Sequence, residues 1–164
     1  MSIISLFSSR FMRYFLIGLF FIGSILSCYA QASEKDKIIE VIELFFEGFH
    51  QADSLKMKSV LMTDAVFRSV DRRTENLVYQ TTAISSFLKA VASRPSSPVW
   101  EERLNHFRVN EDGVMAQAWV SYSFWLDGTF SHCGIDAFTL VKQNDAWKIV
   151  FLIDTRRVGP CDPL

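Results

Sequence analysis

The sequence contains little of what metal sites and redox centres are built from. It has three cysteines and three histidines in 164 residues. It has no CxxC motif, no HExxH motif and no cluster of histidine and cysteine at the spacing of metal ligands. We therefore predict neither a metal nor a cofactor.

The sequence also lacks an excess of basic residues and any repetitive tract. Lysine and arginine number 17 against 18 acidic residues, with no basic stripe, which excludes the usual signature of a nucleic-acid-binding protein. Only four prolines and seven glycines are present. The single linker-like piece, residues 94–98, is short enough to be a loop within one domain.

Long hydrophobic runs are almost absent, and the single long one lies near the N-terminus. Phe15–Leu26 is uncharged but too short for a bilayer span, which needs about 20 residues. Arg10 and Arg13 precede it, and the small-x-small sequence Ala30–Ala32 follows. This order is typical of a secretory signal peptide. We predict a signal peptide over 1–32, a single domain over 33–164, and an exported protein, periplasmic or secreted.

Three alternatives at the N-terminus stay open. The sequence Ile25–Cys28 resembles a bacterial lipoprotein box, which would place a lipid anchor on Cys28. Leu26 is bulky for such a box, so cleavage after Ala32 is favoured. The second alternative is a signal retained as a membrane anchor; without it we expect no membrane contact after cleavage. The third is translation from Met12 instead of Met1.

The predicted mature chain of 132 residues has the size of one domain and a net charge of −3 with neutral histidines. Apolar residues at helical spacing predict a helix over 34–50, with Ser33 as its cap. A second helix opens at Asp53, and Thr82 caps a third. Alternation predicts short strands at Ala65–Val70 and Leu77–Gln80, then four longer strands at about 99–109, 114–126, 130–142 and 147–157.

The order of these elements predicts an α+β fold with helices packed on one face of a curved, mainly antiparallel sheet. The order and the terminal segments 130–134, 147–149 and 154–157, with a trailing Cys161, resemble the nuclear transport factor 2-like (cystatin-like) superfamily. The closer resemblance is to small secreted bacterial members of the SnoaL-like, DUF4440 and putative lumazine-binding type. It implies three N-terminal helices on a cone-shaped sheet. The superfamily includes isomerases, dehydratases, cyclases and non-enzymatic binding proteins, so it implies no single function.

The two turns of the C-terminal meander predict its register. A two-residue turn at Asp127-Gly128 pairs Leu126 with Thr129, and a second at Asn144-Asp145 pairs Gln143 with Ala146. Uninterrupted ladders then bring one set of side chains to the concave face, because opposed residues share a face. The pairs that define this face are Trp119 with Asp136, Gln117 with Phe138, Phe138 with Phe151, and Ser123 with His132.

Asp136 is the candidate that needs an explanation, because a carboxylate on an apolar face is costly unless it is paired or protonated. It could accept a bond from the Trp119 indole N–H, or line a cavity and act as ligand anchor or general base. Arg157, opposite His132 in this register, could bind an anion or form an ion pair, and Arg156 is expected to pair with Asp154. The full predicted binding set is Gln117, Trp119, Ser121, His132, Asp136, Phe138, Phe151 and Arg157.

The two cysteines of the mature chain are predicted to form a disulfide. The register places Cys133 opposite Arg156 on the outer face. The segment 158–160 can then turn the chain back so that Cys161 lies beside Cys133. The competing prediction is two free thiols, one packed on the sheet and one on the tail.

Three functions remain open from the sequence. The first is binding of a small apolar or aromatic molecule in the cone. The second is a cofactor-free isomerase, dehydratase or cyclase with Asp136 as general base. The third is an interaction module that forms a homodimer through the outer sheet face and has a filled core.

Overall fold

The structure, a computed structural model, describes residues 32–159 and Cys161. The predicted signal peptide up to Gln31, the Cys28 lipid site and the start at Met12 lie outside the described residues and stay predictions. Within the described part, no helix is both long and apolar enough to cross a membrane.

The first helix, α1, covers Glu34–Gln51 and begins with the predicted cap. The Ser33 hydroxyl accepts from the Asp36 N–H while the Asp36 carboxylate accepts from the Ser33 N–H, forming a capping box. Apolar residues three and four positions apart give the helix one buried stripe, which packs on the sheet. The stripe consists of Ile38, Ile42, Phe45, Phe46 and Phe49.

The second helix, α2, is a short one at Ser54–Ser59, and Asp53 caps it by accepting from two backbone N–H groups. Gly48 of α1 lets the two helices approach closely. A Cβ atom there would lie 2.7 Å from Met57 Cγ and 2.9 Å from the Asp53 carbonyl oxygen. Any larger residue would therefore separate α1 from α2.

The third helix, α3, covers Ile84–Ala92. The predicted Thr82 cap is wrong: Ala83 occupies the cap position without a side-chain bond, and Thr82 lies in a strand opposite Phe67. Two of the helices thus precede the sheet, whereas α3 connects its second and third strands.

The described residues form a six-stranded sheet with the order β2-β1-β6-β5-β4-β3. Only the β1–β6 pair is parallel, so the predicted α+β fold with a curved, mainly antiparallel sheet is confirmed. The strands are β1 (Leu61–Asp71), β2 (Val78–Ala83), β3 (Trp100–Glu111), β4 (Met115–Leu126), β5 (Thr129–Gln143) and β6 (Ala146–Arg156).

Both predicted hairpin turns are confirmed. Leu126 pairs with Thr129, and Gln143 pairs with Ala146. The four turn residues all have positive φ angles, from 47° at Asp127 to 74° at Gly128. Two consecutive left-handed residues give the type of turn whose twist matches a tight antiparallel hairpin.

The predicted register between β4 and β5 is wrong beyond the first two pairs. Trp125 pairs with Phe130 but Phe124 pairs with His132, so Ser131 is an extra residue in β5. This bulge moves every later pair by one residue and therefore exchanges the two faces of β4. Asp136 lies opposite Val120, not Trp119, and Trp119 is 47% exposed on the outer face.

A second irregularity corrects the register between β5 and β6. Leu140 pairs with Ile149 as predicted, but Thr139 pairs with Phe151, which leaves Val150 as the extra residue. Phe138 consequently lies opposite Leu152 and Asp136 opposite Asp154. Leu152 turns toward the core while Phe151 turns away from it, the reverse of the prediction.

The predicted disulfide between Cys133 and Cys161 is present, with 5.9 Å between the Cα atoms. Cys133 lies opposite Arg157, one residue later than predicted, because of the same shift in β6. The bond holds the end of the chain against the outer side of β5.

Candidate functional site

A cavity of about 430 Å³ lies between α1, α3 and the concave face of the sheet. Its volume is within the range of sites that enclose a small organic molecule. Seven aromatic residues supply most of its wall: Phe45, Phe46, Phe49, Phe67, Phe87, Trp100 and Phe124. Polar residues also line it: Arg68, Ser69, Arg73, Thr82, Glu102, Tyr122, Ser131, His132, Asp136, Asp154 and Arg156.

Asp136 lies in this wall, and it is only 2% exposed. Its Oδ2 atom has no hydrogen-bond partner in the described part of the chain. Burial raises the pKa of the Asp136 carboxyl well above its usual range, and the charge of Glu102 raises it further. Both effects favour the protonated form of Asp136.

Glu102 is the group that faces Asp136. The backbone N–H of Glu102 donates to His50 Nε2 at 2.9 Å, which fixes the start of β3 against the C-terminal end of α1. Burial raises the pKa of the Glu102 carboxyl to about 7. The two carboxyls, called the acid pair below, thus share a proton across neutral pH, as two close carboxyls must.

An ion pair lies beside the acid pair. Arg156 Nε donates to Asp154 Oδ2 at 2.7 Å, as the sequence predicted, although both residues lie on the cavity side and not on the outer face. The charge of Arg156 lowers the pKa of both members of the acid pair, whereas that of Asp154 raises both. Since Arg156 is already bonded to Asp154, its net influence on the acid pair is small.

Tyr122 and His132 complete the polar wall without offering a free charge. The Tyr122 hydroxyl donates to the Thr155 carbonyl oxygen at 2.9 Å, and burial raises the Tyr122 pKa. Burial lowers the pKa of His132 to about 4, so its ring is neutral at pH 7. His132 Nδ1 is 3.0 Å from Ser131 Oγ, and its ring packs on Phe124.

The predicted binding residues divide into two groups in the structure. His132 and Asp136 line the cavity, and Phe138 is fully buried in the core, where it packs edge-to-face on Phe45 and Phe46. The bulge at Ser131 and the shift at Val150 remove the other members from the cavity wall. These are Gln117, Trp119, Ser121, Phe151 and Arg157.

Glu102, Tyr122 and Arg156 were missed by the sequence reasoning. One signal for Tyr122 was available: the even-numbered positions of β4 from Ala116 to Leu126 are all apolar or aromatic, whereas the odd-numbered positions include Gln117, Ser121 and Ser123. This alternation identifies the buried face of β4 without reference to a turn. No comparable signal identifies Glu102, because Glu101 and Arg103 beside it are equally polar.

A smaller groove of about 310 Å³ lies on the outer side of β5. Ser121 and Arg157 line it together with His106 and the disulfide cysteines. The Ser121 hydroxyl accepts from the His106 backbone N–H at 3.2 Å, which explains its burial on that side. Residues 32–159 and 161 contain no group of three or more side chains arranged to hold a metal ion.

Comparison with solved structures identifies the fold. A nuclear transport factor 2-like protein of unknown function from Shewanella baltica is 22% identical over 81% of this chain and 99% of its own, with a TM-score of 0.58. A structure named as a putative dehydratase of the same family from Streptomyces avermitilis is 14% identical over 76% and 96%, with a TM-score of 0.57. One named as a putative scytalone dehydratase from Novosphingobium aromaticivorans is 9% identical over 80% and 89%, with a TM-score of 0.60.

Comparison of the sequence with curated proteins finds no match. The family model described as putative lumazine-binding matches residues 33–151, which is most of the chain and includes Glu102 and Asp136. This match confirms the predicted resemblance to the putative lumazine-binding type, while secretion stays a prediction. The solved structures show that the fold is nuclear transport factor 2-like. The chain belongs to the putative lumazine-binding family.

Proposed function

We propose that the protein binds a small, partly apolar molecule in the aromatic cavity, with the polar end of that molecule at the acid pair. The observation that carries this proposal is the unpartnered Oδ2 atom of Asp136 in the wall of a 430 Å³ cavity. Leaving a buried polar atom without a partner costs about 1–3 kcal/mol. A ligand that supplies the missing partner gives a reason for the residue to be there.

The shape of the wall supports a flat, aromatic ligand frame. Phe87 stacks with Phe45 and Phe49, with interplanar angles of 10° and 3°, so α1 and α3 present nearly parallel ring planes. Such rings favour stacked or edge-on contact with a planar molecule. The family description suggests lumazine, a bicyclic heteroaromatic compound, as the first molecule to test.

A pair of matched variants tests occupation of the cavity. Ala90 lies on α3 at the cavity wall and is exposed, whereas Ala92 is exposed on the same helix but does not line the cavity. Ala90→Trp should therefore block binding of lumazine or another small aromatic probe in calorimetric titration, and Ala92→Trp should leave it unchanged. Equal binding by both variants would contradict the proposed site.

A second candidate function is proton transfer by the acid pair. The favouring observation is the Glu102 pKa of about 7, beside an Asp136 whose pKa is raised, because a general acid or base works best near the ambient pH. Two of the similar structures are named as dehydratases, which is consistent with an isomerase, dehydratase or cyclase reaction. A binding protein should release its ligand unchanged after incubation, whereas an enzyme should yield an isomer or a dehydrated product, which mass spectrometry and NMR distinguish.

We also propose that the protein is exported and that it forms a homodimer. The disulfide is compatible with an oxidising compartment outside the cytosol. N-terminal analysis of the processed protein should then find Ser33, and a diacylated Cys28 would instead support the lipoprotein alternative.

Trp119, exposed on the outer sheet face, is the support for a dimer there. Sedimentation analysis of the protein and of Trp119→Ser tests it.

A further inference from the structure

Some charged side chains in the cavity wall form ion pairs and others do not. Arg156 is paired with Asp154, and Arg73 is paired with Asp71 at 2.6 Å. No ion pair in the described part of the chain involves either member of the acid pair. Two carboxyls thus lie beside an aromatic cavity without a basic partner, and one of their oxygen atoms has no donor.

We infer that the ligand carries a protonated amine, whose N–H groups bond to Asp136 Oδ2 and to the carboxyl of Glu102. This inference rests on the proposed function and specifies the chemical class of its ligand. An ammonium group supplies both things that the acid pair lacks, a hydrogen-bond donor and a positive charge. The surrounding aromatic rings can also attract a cation through their faces.

The other charge classes fit less well. A carboxylate or phosphate would have to displace the existing partners of Arg73 and Arg156, and it would be repelled by Glu102. Arg68, the third arginine of the cavity wall, is exposed, and its guanidinium donates to the Tyr79 hydroxyl and lies over the rings of Tyr79 and Phe151, which do not line the cavity. A neutral hydroxyl or amide could bond to the acid pair but would leave its proton in place. The three classes therefore predict different dependences of affinity on pH.

The sign of that dependence follows from the shared proton. An ammonium group replaces the proton of the acid pair, so its binding requires deprotonation of a group whose pKa is about 7. Its affinity should rise by roughly tenfold between pH 6 and pH 8, because a group with a pKa of about 7 is mostly protonated at pH 6 and mostly deprotonated at pH 8. A neutral probe should show little change, and an anion should bind less tightly as pH rises.

Several other groups near the acid pair could contribute to a pH dependence. The Asp154–Arg156 pair of β6, Tyr122 of β4 and His132 of β5 line the cavity, and so do Arg68 of β1 and Arg73, which is paired with Asp71. His50 of α1 bonds to the Glu102 backbone. Burial lowers the His132 pKa to about 4, so this ring stays neutral between pH 6 and pH 8, and burial also lowers the pKa of His50. The tenfold change between pH 6 and pH 8 is thus assigned to the acid pair.

Three probes with the same ring test the inference: benzylamine, benzyl alcohol and benzoate. They are titrated by calorimetry at pH 6 and pH 8, in two buffers of different ionisation enthalpy, which reports the protons released. We expect benzylamine to bind best at pH 8 with almost no proton release, and to bind roughly tenfold more weakly at pH 6 with release of about one proton. Benzyl alcohol should bind more weakly and with no change between the two pH values.

Glu102→Gln should remove the preference for benzylamine over benzyl alcohol. The matched control is Glu101→Gln, which removes the same charge from the adjacent, exposed residue that pairs with Arg103 at 2.7 Å. This control should behave as the unaltered protein. A cooperative unfolding transition and an unchanged circular dichroism spectrum show that Glu102→Gln is folded.

The outcomes separate this inference from the proposed function. Binding of benzyl alcohol or benzoate as tight as that of benzylamine at pH 8 would overturn the inference and leave the cavity as a binding site. Equal loss of the amine preference in Glu101→Gln and Glu102→Gln would also overturn it. If lumazine and all three probes fail to bind, the proposed function is wrong and the inference with it.

Discussion

Two places along strand β5 have carboxyl groups in opposite circumstances. At one end, Glu34 of α1 accepts from Lys142 Nζ at 3.0 Å, from the Trp147 indole N–H at 2.8 Å, and from Lys37. These donors lower the Glu34 pKa to about 2. In the middle of the strand, Asp136 has an oxygen without any donor, and its pKa is raised. The same chemical group is fully satisfied in one place and unsatisfied in the other.

The difference separates a structural role from a functional one. The Glu34 cluster connects the start of α1 to the β5–β6 hairpin, and every member finds its partner within the protein. The acid pair has no such partner, and folding must keep it protonated in an apolar wall. Buried polar groups in folded proteins are nearly always satisfied, so an exception beside a cavity indicates a ligand.

The largest expected effect comes from removing the disulfide at Cys133, which lies on the same strand as Asp136. The disulfide joins positions 28 apart, so its removal should lower the free energy of unfolding by roughly 3–4 kcal/mol in the chain-entropy model. Denaturant unfolding of Cys133→Ser/Cys161→Ser measures this. Stability equal to that of the oxidised protein would show that the bond does not constrain the fold.

The next largest effect is a loss of stability as pH rises, which is caused by the acid pair. The Glu102 pKa is about 7 in the folded protein against 4.5 for an unburied glutamate, so its contribution is fully present below pH 4.5 and is lost as pH rises through 7. Between pH 5 and pH 8 the protein should lose about 1–3 kcal/mol.

Glu102→Gln should flatten this pH dependence, whereas Glu101→Gln should retain it. Urea unfolding at intervals across the same pH range provides the measurement. A protein whose stability stays constant or rises from pH 5 to pH 8, with no difference between the two variants, would show that Glu102 ionises normally.

The smallest effect is expected at the Glu34 end, and it has the opposite pH dependence. The lowered pKa of Glu34 gives stability that is present above pH 4.5 and lost as pH falls toward 2. Glu34→Gln should lower the melting temperature slightly at pH 7 and should not alter it near pH 2. Glu40→Gln, on the exposed face of the same helix, should have no effect at either pH.

The fold was predictable because its signals are local. The Ser33 cap, the α1 stripe and the two positive-φ turns depend on residues within a few positions of each other, and all are confirmed. The disulfide prediction also succeeded, since a one-residue error in the partner of Cys133 still leaves Cys161 close enough to bond.

The site was predicted only in part, because strand faces depend on single-residue bulges. When the pairing is extended from a correct turn without allowing for the extra residue at Ser131 or Val150, every later pair is wrong by one residue and the two faces of the neighbouring strand are exchanged. No residue type marks either position. Asp136 and His132 kept their predicted face because the helices cover β5 there. Glu102 could not be found, since its approach to Asp136 joins β3 to β5 across β4.

The most direct test of the account is Asp136→Asn, with stability and binding measured on the same sample at pH 8. Asparagine keeps the shape of the side chain and removes the ionisable group, so the variant should be as stable as the unaltered protein or about 1–3 kcal/mol more stable. It should also lose binding of the probe that the unaltered protein binds most tightly among lumazine, benzylamine and benzyl alcohol. A variant with a lower melting temperature and unchanged binding would show that Asp136 is a structural residue and contradict the account.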